Sequence, residues 1–241
     1  MRRTSKRYTL SCGSMALGAA LLFTLIPTAS ATAIGTLDEA NCAGGGVTVT
    51  ATTITWLPVG TVGGTGCIDT GIGTALTYSG GTLGVGVQGN IANLVLNEGI
   101  VNDFMTFSGT TLDFVLDGFT TPTTTNGTDC AGTTTGQTCV ATAGSQFILT
   151  NLGSGDTGVS LTAFGTILDD GTTTNWSGSF TTQVTTTPGT IQTVILNGGS
   201  VESTQSAQFL VATVPEPASL GMIGAGLIGL AFAAKKRKAR S

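Results

Sequence analysis

The sequence predicts an all-β fold, an antiparallel β-sandwich, on three observations. The central residues 34–213 are built mainly from Thr, Gly, Ser, Val, Leu and Ile and hold almost no helical pattern. Branched and polar residues alternate there with the period of two that a half-buried strand requires. Gly, Asn and Asp interrupt the runs at short spacing, as in NLGSGDTG, LDDGTTTN and LNGGS, which reads as turns between many short strands.

Along the chain, VTVTATTITW (residues 47–56) is the first clear strand. In TLDFVLDGF, Leu112, Phe114 and Leu116 point to one face while Asp113 and Asp117 face water. Further strands are expected over residues 105–107, 146–150, 158–167, 176–184, 191–196 and 207–213. Threonine suits their exposed faces, being β-branched yet polar. NIANLVLNEGI could be strand or helical turn, and TPTTTNGTDCAGTTTGQTC reads as a polar, mobile loop.

Charge is segregated. All nine basic residues lie in the first seven or the last seven positions, whereas all thirteen acidic residues lie between them. Without Lys, Arg or His the body cannot neutralise a phosphate backbone, which excludes nucleic-acid binding. It also lacks the side chains of a catalytic triad, a histidine metal site or an arginine clamp. A non-enzymatic protein is expected. GVGVQG satisfies G-x-G-x-x-G from Gly84 to Gly89, but in a chain with 37 glycines that match is coincidental. The carboxylates Asp113, Asp117, Asp169 and Asp170 read as solvated strand and turn acids rather than a glycosidase pair.

The two ends carry membrane signals. A basic start, an apolar run over residues 15–26, Pro27 and then small residues form a secretory signal, residues 1–33. Ala31 and Ala33 mark the cleavage region for signal peptidase, with the cut expected after Ala33 and the site after Ala31 second. At the other end, residues 220–234 form an apolar run of about 15 residues, shorter than the roughly 20 of a comfortable span. A basic cluster follows it, Lys235, Lys236, Arg237, Lys238 and Arg240, which should stay cytoplasmic. Before it, Pro215 and Pro217 force their predecessors Val214 and Glu216 toward extended backbone. The product is a stiff, unpaired segment beside a membrane helix, suited to a protease.

Pro215, Glu216 and Pro217, the short helix and the basic terminus together resemble the PEP-CTERM sorting signal, here residues 214–241. The resemblance implies transient insertion in the inner membrane of a Gram-negative bacterium. It also implies processing by an exosortase-type membrane protease and delivery to the cell surface or extracellular matrix, in association with exopolysaccharide. VNDFMTFSGTTLDFVLDGF and WSGSFTTQV…GGSVESTQSAQF are similar to stretches in the bodies of such proteins and carry no catalytic motif.

Once Cys12 leaves with the signal, Cys42, Cys67, Cys130 and Cys139 remain, an even number in an exported chain. Of the three connectivities, the local pairing Cys42–Cys67 and Cys130–Cys139 is expected. No cofactor is required. Calcium is the one metal the acidic turns suit, with Asp156, Asp169 and Asp170 as weak candidates, because hard cations take oxygen ligands. A calcium-dependent glycan-binding module is thus the second functional expectation.

Overall fold

The computed structural model describes residues 32–96 and 98–212. Sixteen strands and one helix are described: β1 (Ile34–Asn41), β2 (Gly46–Val49), β3 (Thr53–Leu57), β4 (Thr65–Thr70), β5 (Ala75–Tyr78), β6 (Gly81–Leu83), β7 (Gln88–Ala92), β8 (Leu94–Val95), β9 (Val101–Phe107), β10 (Asp113–Phe119), β11 (Thr138–Cys139), β12 (Ile148–Gly153), β13 (Asp156–Asp169), β14 (Thr172–Val184), α1 (Pro188–Leu196), β15 (Val201–Ser203) and β16 (Ser206–Ala212).

The all-β, antiparallel expectation holds, but the main sheet closes on itself instead of forming half of a sandwich. Its order is β10-β9-β7-β4-β1-β16-β14-β13, and β13 pairs back onto β10 to complete an eight-stranded barrel. Closure removes the unpaired edges that a sandwich would leave. Strand periodicity is the same in both architectures, so the alternation in the sequence could not tell them apart.

The 14-residue β13 does two jobs. Residues 163–168 pair with β10 and close the barrel, while residues 156–160 leave it and pair with β12. On its other edge β13 pairs with β14 over its whole length, from Thr157↔Val184 to Asp169↔Thr172. The connecting turn has positive φ at Asp170 (45°) and Gly171 (79°), the backbone that Asp-Gly adopts in tight hairpins.

Aromatic side chains fill the barrel. Phe104 stacks on Trp176 at 6.0 Å, and Phe209 meets Trp176 and Phe180 edge-on at 5.3 and 5.2 Å. The Trp176 indole donates to the Val115 and Thr166 carbonyls, at 3.0 and 3.1 Å. It can do so because position 165 is glycine: a Cβ there would lie 1.9 Å from the Val115 carbonyl oxygen and 2.9 Å from the indole nitrogen. A second sheet, β15-β2-β3-β8, covers one end, and its Trp56 packs against Phe104 and Phe180. Gly66 clears space for that indole, since a Cβ would stand 2.2 Å from the Trp56 Cβ.

Three local expectations change. Residues 47–56 form a hairpin, β2 and β3, turned at residues 50–52, where Thr50 Oγ1 accepts from the Thr52 and Thr53 amides. Residues 191–196 belong to helix α1 rather than a strand. Thr187 caps it, accepting from the Thr190 amide, and Pro188 opens it. The Thr-Pro pair is a helix-start signal that the β-branched run outweighed. The loop over residues 121–139, expected to be mobile, is tied down: Thr125 and Thr138 hydrogen-bond each other's amides and the Asn126 amide donates to the Thr138 carbonyl. The ambiguous NIANLVLNEGI contributes β7 and β8.

Candidate functional site

The sorting residues Pro215, Glu216 and Pro217 and the basic residues from Lys235 to Arg240 lie outside the described residues, as do residues 1–31. What the fold does determine is where the chain enters and leaves the barrel. Gly35 of β1 sits opposite Val211 of β16, and Ala212 opposite Asn175 of β14. The first and last strands are therefore neighbours that begin and end at one pole, here the near pole. Among the described residues no helix is long and apolar enough to cross a membrane.

Ala33, one of the two alanines at the expected cleavage region, is fully buried in the main core. A cut after Ala33 would remove that side chain, whereas a cut after Ala31 would leave it in place.

At the near pole Asp169, 1 % exposed, holds three segments together. Its carboxylate accepts from the Ser79 amide at 2.7 Å, the Ser79 hydroxyl at 2.5 Å and the Thr111 hydroxyl at 2.9 Å. The charge is satisfied by donors instead of a cation. Asp170 is exposed in the β13–β14 turn, and Asp156 begins the same 14-residue strand that Asp169 ends, about 40 Å away at 3.3 Å per residue. The structure does not bring the three calcium candidates together. Among the described residues no group of three or more His, Cys, Asp or Glu converges.

At the far pole both expected disulfides form, Cys42–Cys67 beside the barrel and Cys130–Cys139 beside α1. The second is the centre of a satellite core with Ala141, Leu149, Ile191 and Ile195. Gly84 to Gly89 runs from the β6–β7 connection into strand β7 with no helix after it, so the glycine motif has none of the context of a dinucleotide site.

Glu39 escaped the sequence reading, while Asp113 and Asp169, expected to be solvated, are drawn into the structure. Glu39 points into the barrel, 2 % exposed, and among the described residues its hydrogen-bond donor is Gln205 Nε2, 3.1 Å from each carboxylate oxygen. Burial pushes its pKa up to about 8, against the opposing pull of Gln205. Alternation along IGTLDEAN places Glu39 on the Leu37 face, a signal that was present. Asp113 meets Asp103 rather than Asp117: burial first, then repulsion by Asp103, raises its pKa. The contact arises from the irregular β9–β10 register and the positive φ of Asp103 (51°), which residue spacing does not encode.

The outer wall of β14, β16 and β1 forms an open cleft of about 840 Å³. A second, much smaller groove of about 50 Å³, with apolar walls, lies between the second sheet, β12–β13 and α1.

The molecule is thus a closed antiparallel barrel that receives and releases its chain at one pole, with disulfides at the other. The segment that follows the last strand, residues 213–238, matches the PEP-CTERM protein-sorting motif, so this chain carries that motif. The motif supports export and sorting by exosortase to the bacterial surface. No curated protein and no solved structure matches the chain.

Proposed function

We propose that this is a non-enzymatic surface or extracellular-matrix protein of a Gram-negative bacterium. On this reading signal peptidase removes the leader after Ala31, and residues 220–234 hold the chain in the inner membrane until exosortase cuts near Pro215–Pro217. The body is then released into, or joined to, an exopolysaccharide layer. The observation that carries the reading is the sorting motif directly behind the last barrel strand. A tether leaving at the near pole sets the disulfide-bonded far pole outward, away from the lipid. Support for a non-enzymatic role comes from the side chains themselves: the barrel interior is packed with aromatics, and Asp169 is used as a structural lock.

Fractionation of the native bacterium tests this. In wild-type cells the body is expected outside the inner membrane; in cells whose exosortase is disrupted it is expected in the inner-membrane fraction, longer by the tail. Equal distribution in both strains would remove the sorting account.

A further inference from the structure

The stretches WSGSFTTQV and STQSAQF place aromatic residues inside the barrel and a different set outside. Their outward residues form the cleft on β14, β16 and β1. Register aligns them in cross-strand rows: Ser177 with Leu210 and Thr36, Ser179 with Gln208 and Asp38, Thr181 with Ser206 and Ala40. Neighbouring strands stand roughly 4.8 Å apart, so the rows set five hydroxyls, one amide and one carboxylate beside Leu210 and Ala40, on a face that exposes more apolar than polar surface. Gln208 Nε2 donates to Asp38 Oδ1 at 3.0 Å, which orients both groups across the centre.

We infer that this cleft binds a neutral polyhydroxylated chain, a glycan. Its volume of about 840 Å³ falls within the range of ligand sites, about 300–1,000 Å³. Hydroxyls and an amide both donate and accept, so they can pair fully with a ligand that does both, as a sugar hydroxyl does. The body holds no Lys or Arg, and Asp38 repels an anion. A peptide strand would add to an unpaired edge, whereas this surface is the face of paired strands. Leu210, 56 % exposed, offers an apolar spot among the hydroxyls, and Phe164, 44 % exposed, extends it from across Ser177. Such spots suit the C–H faces of a sugar ring. The inference rests on the body reaching the cell exterior, but binding is measured on isolated protein and so stands or falls separately from sorting.

The test is affinity electrophoresis of the native protein through gels containing dextran, mannan, galactan or a β-glucan, with alginate as the anionic comparison. At least one neutral polymer is expected to retard it, and alginate is not. Gln208→Ala removes an exposed side chain without disturbing the core and is expected to weaken retardation about tenfold, a loss of about 1.4 kcal/mol. Ser179→Trp, which fills the cleft, is expected to abolish it, and Thr82→Ala on β6 to leave it unchanged. Near-UV circular dichroism reports that each variant is folded. Retardation by none of the four neutral polymers, stronger retardation by alginate, or undiminished binding in a folded Gln208→Ala or Ser179→Trp protein would overturn the inference.

Discussion

Glu39 shows how one residue sets the pH behaviour of the fold. Its carboxyl ordinarily titrates near 4.5 and is pushed up to about 8 by burial in the barrel. Between those values the unfolded chain has lost a proton that the folded chain keeps. Stability attributable to this group is therefore greatest below pH 4.5, declines as pH rises, and is fully lost above about 8. At about 1.4 kcal/mol per pH unit over the shift from 4.5 to about 8, the loss is on the order of 5 kcal/mol. Asp113, raised in the same direction, adds to the slope. Glu39→Gln has no proton to lose, and its amide N–H can serve the Gln205 Oε1 that lacks a donor in the barrel. We expect urea unfolding of wild type to require clearly less denaturant at pH 9 than at pH 5, and Glu39→Gln to flatten that difference. An unchanged slope would show that Glu39 is not the buried acid responsible. The alternation of β1 already assigned Glu39 to the inner face, whereas the Asp103–Asp113 contact depends on a bulge that no spacing reveals.

At the scale of elements, β9, β10, β13, β14 and β16 were legible because each buries one face and alternates accordingly: Leu161, Ala163 and Ile167 on β13, and Ala207, Phe209 and Val211 on β16. The barrel strands β1 and β4 were not read and β7 stayed ambiguous; the rest of what escaped the sequence was non-local. Barrel closure depends on β13 meeting β10 across more than forty intervening residues, and α1 depends on Ile191 and Ile195 finding the satellite core. That core explains a second expectation. Cys130–Cys139 closes a loop with a sequence separation of 9, and such a loop is worth about 3 kcal/mol in chain entropy. Replacing both cysteines with serine should therefore loosen β11, β12 and α1 while the barrel stays folded. Hydrogen exchange is expected to quicken at Leu149 and Ile191 and to stay slow at Phe209. Uniform loss of protection would mean that the satellite core and the barrel unfold as one unit.

For the whole molecule, the distribution of side chains argues for a barrel wall that faces water along β1, β14 and β16. The barrel packs aromatics inside and turns Thr, Ser, Gln and Asp outward along β1, β14 and β16, the reverse of a barrel that faces lipid. Its first strand begins and its last strand ends at one pole. The C-terminal sorting motif could be read from the chain because it rests on local composition: two prolines, an apolar run, a basic end. The sequence expectation puts the cut after Ala33 with Ala31 second; the proposed cut after Ala31 is supported by the burial of Ala33 in the core. The intact mass of the protein from its own organism tests the central claim most directly, because the body has no Lys or Arg for trypsin to cut. The account predicts a species that begins at Thr32 and ends at or before Pro217. A species that still contains residues 235–241 would contradict it and make the protein a permanently membrane-tethered one.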